Sequence, residues 1–341
     1  MKTQKFDSIY VMLGYACNFN CKYCLQGEKV LKAKQPVITE KFFNFLDEYQ
    51  NKKTTRLFFW GGEPLLYFET IKKIVSRYKD LYEFGIISNG ALLSQEIVDF
   101  INQNDVKFIL SHDAHATKET RNVDVLKNKK IVDLFDQIKK STINVTISSI
   151  SKPLKEIFEY YPLSKTVNLN PMINTTDTEI SRKYADFDEQ KYRESIRYLL
   201  SSYNEYVLGD ESKRREFNNV MKILESINIF LNEGRQIDRC YDCVYGAKTI
   251  NIDCEGNLYV CHNSDIKIGT VESSFEDVSD RMKKIISAVR TDCDRCELND
   301  ICGGHCVLLK DYGRKQKCAA SKVFFSELIP WIKDNAGVLT N

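Results

Sequence analysis

No stretch of this 341-residue chain is apolar for long enough to cross a bilayer, which takes roughly 20 consecutive apolar residues in a helix. Neither sign of charge is in excess: 49 Lys and Arg face 47 Asp and Glu, for a formal charge of +2. That balance removes the electrostatic reason to expect nucleic acid or a membrane surface as partner. A secretory signal is also lacking, because the apolar run Ile9–Tyr15 is very short and Asp7 breaks the positive region before it. Internal repeats and low-complexity tracts are missing as well. No cysteine lies between Cys24 and Cys240.

What is present is an ordinary globular composition, 43% hydrophobic and 28% charged, long enough for one large domain and a smaller one. Its anomaly is twelve cysteines in two clumps, 17–24 and 240–318. A disulfide framework would spread more widely, and it belongs to small exported domains. Metal ligation accounts for the clumping better, and the expected compartment is a reducing cytoplasm.

From Ser8 to about Asn170, short β-rich runs alternate with helical patterns. Ile9–Leu13, Leu57–Trp60, Phe84–Ser88, Lys107–Ser111, Ile143–Ser149 and Val167–Asn170 read as strands. Thr39–Tyr49, Tyr67–Lys79, Ser94–Gln103, Ile131–Ile138 and Leu154–Tyr160 read as helices. The alternation predicts an α/β fold with a parallel sheet, and six strands suit a partial (β/α)6 TIM-like barrel. Chemistry then belongs at the carboxyl ends of the strands. Helical segments near Tyr192–Val207 and Arg214–Leu231 form a bridge. The region from Arg239 to about Ser321 has nine cysteines, the β-like pieces Thr249–Ile252 and Leu258–Val260, and little apolar content, so metal would have to organise it. Ser321–Ile332 reads as a closing helix. The expected domains are a barrel over 1–175, a helical bridge over 176–237, a Cys-rich domain over 238–320, and a helix and tail over 321–341.

Cys17, Cys21 and Cys24 follow the first strand with the spacing C-x3-C-x2-C. Three thiolates on one loop suit three corners of a [4Fe–4S] cube, leaving the fourth iron open to an outside ligand. A zinc loop is the competing reading. The motif Cys17-Asn18-Phe19-Asn20-Cys21-Lys22-Tyr23-Cys24 resembles the radical S-adenosylmethionine (SAM) superfamily. By that resemblance Tyr23 stands beside the adenine. Gly61, Gly62 and Glu63, in Trp60–Pro64, meet the methionyl amino group, the glycines letting the main chain approach a ligand. Ser88 and Asn89, before Gly90, resemble the family's T-N-G segment. Ser111, in Ser111-His112-Asp113, resembles the serine of S-L-D-G, with His112 and Ala114 departing from that pattern. Arg121 matches an arginine that pairs with the ligand carboxylate, a role its fork suits; a solvated loop charge is the alternative.

The C-terminal cysteines resemble a SPASM domain, the auxiliary-cluster extension of radical SAM enzymes that modify peptides and proteins. The resemblance implies one cluster on Cys240, Cys243, Cys261 and Cys306, and another on Cys293, Cys296, Cys302 and Cys318. Cys254 is left over and reads as a small buried residue or an extra ligand. Two zinc knuckles are the alternative for this region.

The implied cofactors are three [4Fe–4S] clusters and SAM, cleaved reductively to a 5′-deoxyadenosyl radical that takes hydrogen from a peptide. The favoured class is a maturase of ribosomally made peptides, forming thioether or carbon–carbon crosslinks. Implied partners are the peptide or protein substrate, a reductant such as flavodoxin or ferredoxin, and a separate leader-binding protein, since little chain precedes the first strand. An anaerobic sulfatase maturase is the alternative, weakened because Cys261 is followed by His262 rather than aspartate. A non-enzymatic iron–sulfur carrier or zinc-organised binding module is the other. His112 and His262 are acid–base candidates by residue type, with Asp113 and Asp253 weaker; no catalytic base is assigned.

Overall fold

The computed structural model describes residues 2–3, 6–26, 35–170, 179–233, 249–289, 293–302, 306 and 308–335. Six strands come first: β1 (Ser8–Met12), β2 (Arg56–Trp60), β3 (Glu83–Ser88), β4 (Lys107–Ser111), β5 (Ser141–Thr146) and β6 (Thr166–Asn170). Between and after them run α1 (Glu40–Glu48), α2 (Phe68–Tyr78), α3 (Gln95–Gln103), α4 (Thr117–Arg121), α5 (Lys129–Asp136) and α6 (Leu154–Tyr160). Alternate strand residues bury one apolar face, with Ile9, Val11, Leu57, Phe59, Ile86, Phe108, Leu110, Ile143 and Val145 all nearly inaccessible. They join the helices' stripes, such as Phe42, Phe45 and Leu46 of α1 and Ile71, Ile74 and Val75 of α2, in one core. Caps begin these helices where the sequence turns polar: the Thr39 hydroxyl accepts from Phe42 N at 3.4 Å and the Ser94 hydroxyl from Ile97 N at 3.3 Å.

The strands β1 to β6 lie parallel in sequential order, as a partial (β/α)6 barrel requires. Helices α7 (Glu179–Ala185), α8 (Glu189–Val207) and α9 (Arg214–Glu233) follow, and α8 packs on both α9 and the last helix. Strands β7 (Thr249–Asp253), β8 (Asn257–Tyr259) and β9 (Lys267–Thr270) then extend the sheet to nine strands, ordered 6-5-4-3-2-1-7-8-9. The chain closes with α10 (Phe275–Val289), the short α11 (Asn299–Cys302) and α12 (Asp311–Asp334).

Two details differ from the sequence reading. The short β-like pieces of the C-terminal region are not held by metal alone, because β7 pairs in parallel with β1 from Ser8↔Thr249 to Met12↔Asp253. Ile250, Ile252, Leu258, Val260 and Ile268 are thereby buried in the core of the barrel. The closing helix also starts ten residues earlier than expected, at Asp311, so Cys318 lies within it. Gly313 and a polar run before Ser321 hid that first part, although both are compatible with a helix.

The open sheet has two edges, and side chains engage main-chain groups at each. At β6, Asn219 of α9 donates to Val167 O at 2.8 Å and accepts from Leu169 N at 3.0 Å, acting as a one-residue neighbouring strand. At β9, Arg281 of α10 donates to Ile268 O at 2.9 Å. Such closure removes a template for intermolecular pairing. Replacing Asn219 by alanine strands both β6 groups and is expected to cost about 2 kcal/mol, at about 1 kcal/mol per hydrogen bond. Urea unfolding measures this, and an unchanged midpoint would show that the edge needs no partner.

Candidate active site

The carboxyl ends of β1 to β4 meet at one loop, which carries Cys17, Cys21 and Cys24. Its near end is set by the backbone. The β1–β2 ladder continues past both strands, with Leu13 N to Trp60 O at 2.9 Å, Gly62 N to Gly14 O at 2.8 Å and Glu63 N to Ala16 O at 2.8 Å. A Cβ on Gly61 would lie 2.4 Å from Gly14 O, and one on Gly62 would lie 2.2 Å from Ala16 O. The sequence reading assigned these glycines to the approach of a ligand. The structure shows that backbone packing against the root of the cysteine loop already requires them.

Glu63 is buried at the end of β2, where its carboxylate accepts from Ser88 Oγ at 2.7 Å, Asn89 N at 2.8 Å and Leu65 N at 3.0 Å. Burial raises its pKa and these donors partly offset the rise. Glu63 and Ser88 therefore face each other and brace β2 against β3. Asn89 turns to the loop instead, donating from Nδ2 to Asn18 Oδ1 at 2.7 Å, with Cys17 Sγ at 3.9 Å.

The far end of the loop hangs on Asp113, a residue the sequence reading ranked low. Its buried carboxylate accepts two bonds from Arg121, Nε at 2.9 Å and Nη2 at 3.0 Å. It also accepts from Tyr23 Oη at 2.7 Å, Thr120 Oγ1 at 2.7 Å and Thr146 N at 3.2 Å. Burial opposes the charge, but the Arg121 guanidinium and the hydroxyl donors hold Asp113 below the ordinary carboxylate range. Main-chain bonds reinforce the attachment, with Lys22 N to Thr120 O at 2.8 Å, and Asn122 Nδ2 donates to Asn20 O at 2.7 Å. Arg121 is thus a buried strut with Nε and Nη2 bound to Asp113, not a solvated charge, and Tyr23 lies under its guanidinium. Ser111 is half-buried at the end of β4, in register with Asn144 of β5. The signal for Asp113 was available: it is a carboxylate just past the end of a parallel strand.

The three loop thiols are outside any disulfide. Burial pushes Cys17 up to about 11 and Cys21 up to about 12, with Cys24 also raised. The thiols oppose one another's ionisation as well, Cys24 and Cys17 each raising Cys21. Such thiols ionise only when a cation replaces their protons, which is what ligation of an iron–sulfur cluster supplies. Among the described residues no three His, Cys, Asp or Glu side chains are grouped so as to hold one metal ion.

In the C-terminal region Cys254, Cys261 and Cys302 are buried, Cys293, Cys296 and Cys306 half-buried, and Cys318 exposed. Cys254 packs in the core, where its carbonyl accepts from Thr39 N at 3.0 Å. The Cys318 thiol is raised by burial and then by the nearby Cys293, Cys302 and Cys296. Cys240 and Cys243 lie outside the described residues.

Of the acid–base candidates, His112 is wholly buried, with Nδ1 2.8 Å from Tyr161 Oη and Nε2 2.9 Å from Asp124 Oδ1. It is a structural link from β4 to α6. His262 stacks on Tyr10 at 4.7 Å and meets Trp60 edge-on at 4.3 Å; burial lowers its pKa to about 4. Asp253 accepts from Tyr259 Oη and Asn257 Nδ2, each at 2.8 Å, within the β7–β8 turn.

Residues 11–153, which contain the cysteine loop, the glycine segment and the Asp113–Arg121 strut, match the family model of the Radical SAM superfamily. The chain is 23% identical to radical SAM cyclopropyl synthase TigE of Paramaledivibacter caminithermalis, over 96% of this chain and 74% of that protein. Among solved structures, native anSMEcpe with bound AdoMet and Cp18Cys peptide has a TM-score of 0.72 at 16% identity, covering 97% of this chain and 99% of that one. Streptococcus suis SuiB bound to S-adenosylmethionine has a TM-score of 0.60 at 15% identity, covering 92% and 78%. Likeness at such identities is likeness of fold. The match to the Radical SAM superfamily falls on residues 11–153, less than half of the chain. Among the described residues no helix is long and apolar enough to cross a membrane.

Two outcomes follow from this geometry. Asp113→Asn leaves Arg121 buried without its counter-charge, a loss of roughly 3–5 kcal/mol, and releases Tyr23. Urea unfolding should show the loss and iron analysis a reduced content; wild-type values in both would remove Asp113 from its supporting role. The second concerns Asp124. Burial disfavours its charge, but His112, Tyr160 and Leu126 N hold the carboxyl below its ordinary 3.8. A depressed carboxyl stabilises above the ordinary value and loses that contribution as pH falls through the folded one. Asp124→Asn should therefore be less stable than wild type by roughly 1–3 kcal/mol at pH 7, with the gap closing toward pH 3. A gap independent of pH would contradict this.

Proposed function

We propose that the chain is a peptide-modifying maturase of the radical SAM/SPASM kind, acting on a ribosomally made peptide to form a thioether or carbon–carbon crosslink. The observation that carries the reading is the desolvated triple-thiol loop, held between the Glu63 bracket and the Asp113 strut. Cys17, Cys21 and Cys24 would hold one [4Fe–4S] cluster, with Tyr23, Gly61, Gly62, Asn89 and Ser111 around the SAM bound to it. Glu63, Ser88 and Arg121 act one step back, by fixing the segments that carry those groups. When bound, the cluster and SAM supply a carbon radical that removes hydrogen from an unactivated position. The protein's part is to orient ligand and substrate and to keep water out.

Two auxiliary clusters complete the proposal. One would use Cys293, Cys296, Cys302 and Cys318, supported by the first three being near enough to raise the Cys318 thiol. The other would use Cys261 and Cys306 with Cys240 and Cys243. A peptide substrate is supported by the fold shared with SuiB, whose structure bound to precursor peptide SuiA has a TM-score of 0.57, and with anSMEcpe in its peptide-bound form. Oxygen-sensitive clusters of this kind suit a reducing cytoplasm and a flavodoxin or ferredoxin as electron source.

Anaerobic reconstitution should give about twelve irons per chain, falling to about eight when Cys17, Cys21 and Cys24 are replaced by alanine. Reduced protein given SAM should release 5′-deoxyadenosine, and the triple variant should release none. About four irons in the wild type would remove the auxiliary clusters; no 5′-deoxyadenosine would overturn the reading as a whole.

A further inference from the structure

Beside the cysteine site, a cavity of about 480 Å³ opens where the carboxyl ends of β5 and β6 meet α8, α9 and α12. That is the size of a small-molecule or side-chain pocket. Its floor begins one strand from the reacting centre, because Asn144 stands in register with Ser111 and, across β5–β6, with Asn168. The walls are apolar, with Leu154, Ile196, Leu199 and Phe324.

The charges around it are unequal in their engagement. Lys152, Lys191 and Lys222 all line the cavity, the first and third exposed and Lys191 half-buried. Lys191 donates to Ser149 O at 2.9 Å, and Lys222 to Asn168 Oδ1. The two lining carboxylates serve elsewhere: Asp188 caps α8 by accepting from Lys191 N at 3.0 Å, and Asp186 accepts from Tyr312 Oη. Burial disfavours the Lys191 charge, Asp188 offsets part of that and Lys152 adds to it, so an entering anion would further relieve the penalty. An apolar chamber that Lys152, Lys191 and Lys222 also line suits a ligand with an apolar body and an anionic end.

We infer that this cavity is a specificity pocket for the substrate peptide, taking an apolar side chain together with a neighbouring aspartate or glutamate carboxylate held by Lys191 and Lys152. The inference rests on the reading of the chain as a peptide-modifying enzyme and names the sequence such a peptide would carry close to the modified position.

The test is direct binding to the reconstituted full chain, read by fluorescence anisotropy. The probe is a dansylated hexapeptide with adjacent leucine and glutamate between glycines, compared with versions carrying glutamine or lysine in place of glutamate. The glutamate peptide should bind roughly tenfold tighter than the glutamine one, and the lysine peptide weakest. The preference should fall with added salt. Lys191→Met should bring the glutamate peptide to the level of the glutamine peptide. Lys152→Met, at an exposed position that tolerates change, should narrow the difference in the same direction. Equal affinity for the three peptides on wild-type protein would overturn the inference, as would a preference that survives both substitutions. Release of 5′-deoxyadenosine is measured on the same preparation: release without charge preference removes only the pocket, whereas no release removes the enzymatic reading on which it rests.

Discussion

Everything at the reacting end of the molecule depends on how closely two main chains can run together. The ladder between β1 and β2 does not stop at the strands' ends but continues through Gly14–Ala16 and Gly61–Glu63. It can do so only because Gly61 and Gly62 present no Cβ to carbonyls that would stand closer than van der Waals contact. This closeness places the root of the cysteine loop, and the same segment delivers Glu63 to the β3 turn. A loop with three half-buried cysteines has little of its own to hold it. Its order is borrowed from a backbone contact on one side and from a buried ion pair on the other.

That ion pair changes what Arg121 means. A guanidinium near a nucleotide site invites assignment to the ligand's carboxylate, and residue type alone offers no other candidate. Here its Nε and Nη2 engage Asp113, which in turn collects Tyr23, Thr120 and the end of β5 at Thr146. Buried pairs of this sort are costly to break and add little net stability when intact. Their use is in fixing geometry, and three separate chain segments converge on this one carboxylate.

Most of the barrel was legible in the sequence because its signals are local. Short β-rich runs marked all six strands of the barrel, and Thr39 and Ser94 stood at the starts of two expected helices. The cysteine loop was legible because ligand spacing is written along the chain. What stayed hidden depends on partners far apart in sequence. Nothing local says that Thr249–Asp253 pairs with β1, or that Asp113 meets Tyr23 across 90 positions. The glycines of Trp60–Pro64 were legible as necessary, but their reason was not, since the opposing carbonyls lie some 45 residues earlier. His112 looked like a reactive group because of its residue type; only its bonds to Tyr161 and Asp124 show it to be scaffolding.

The side chains that close the sheet's margins bear on how the molecule meets extended polypeptides. At β6 an incoming strand finds Val167 O and Leu169 N already occupied by Asn219, and at β9 it finds Ile268 O held by Arg281. Recognition by main-chain zippering, which is indifferent to sequence, is thereby discouraged at these points. A flexible peptide must instead be identified by what its residues project. The two side chains that occupy these edge groups thus favour a readout of amino-acid identity over backbone shape.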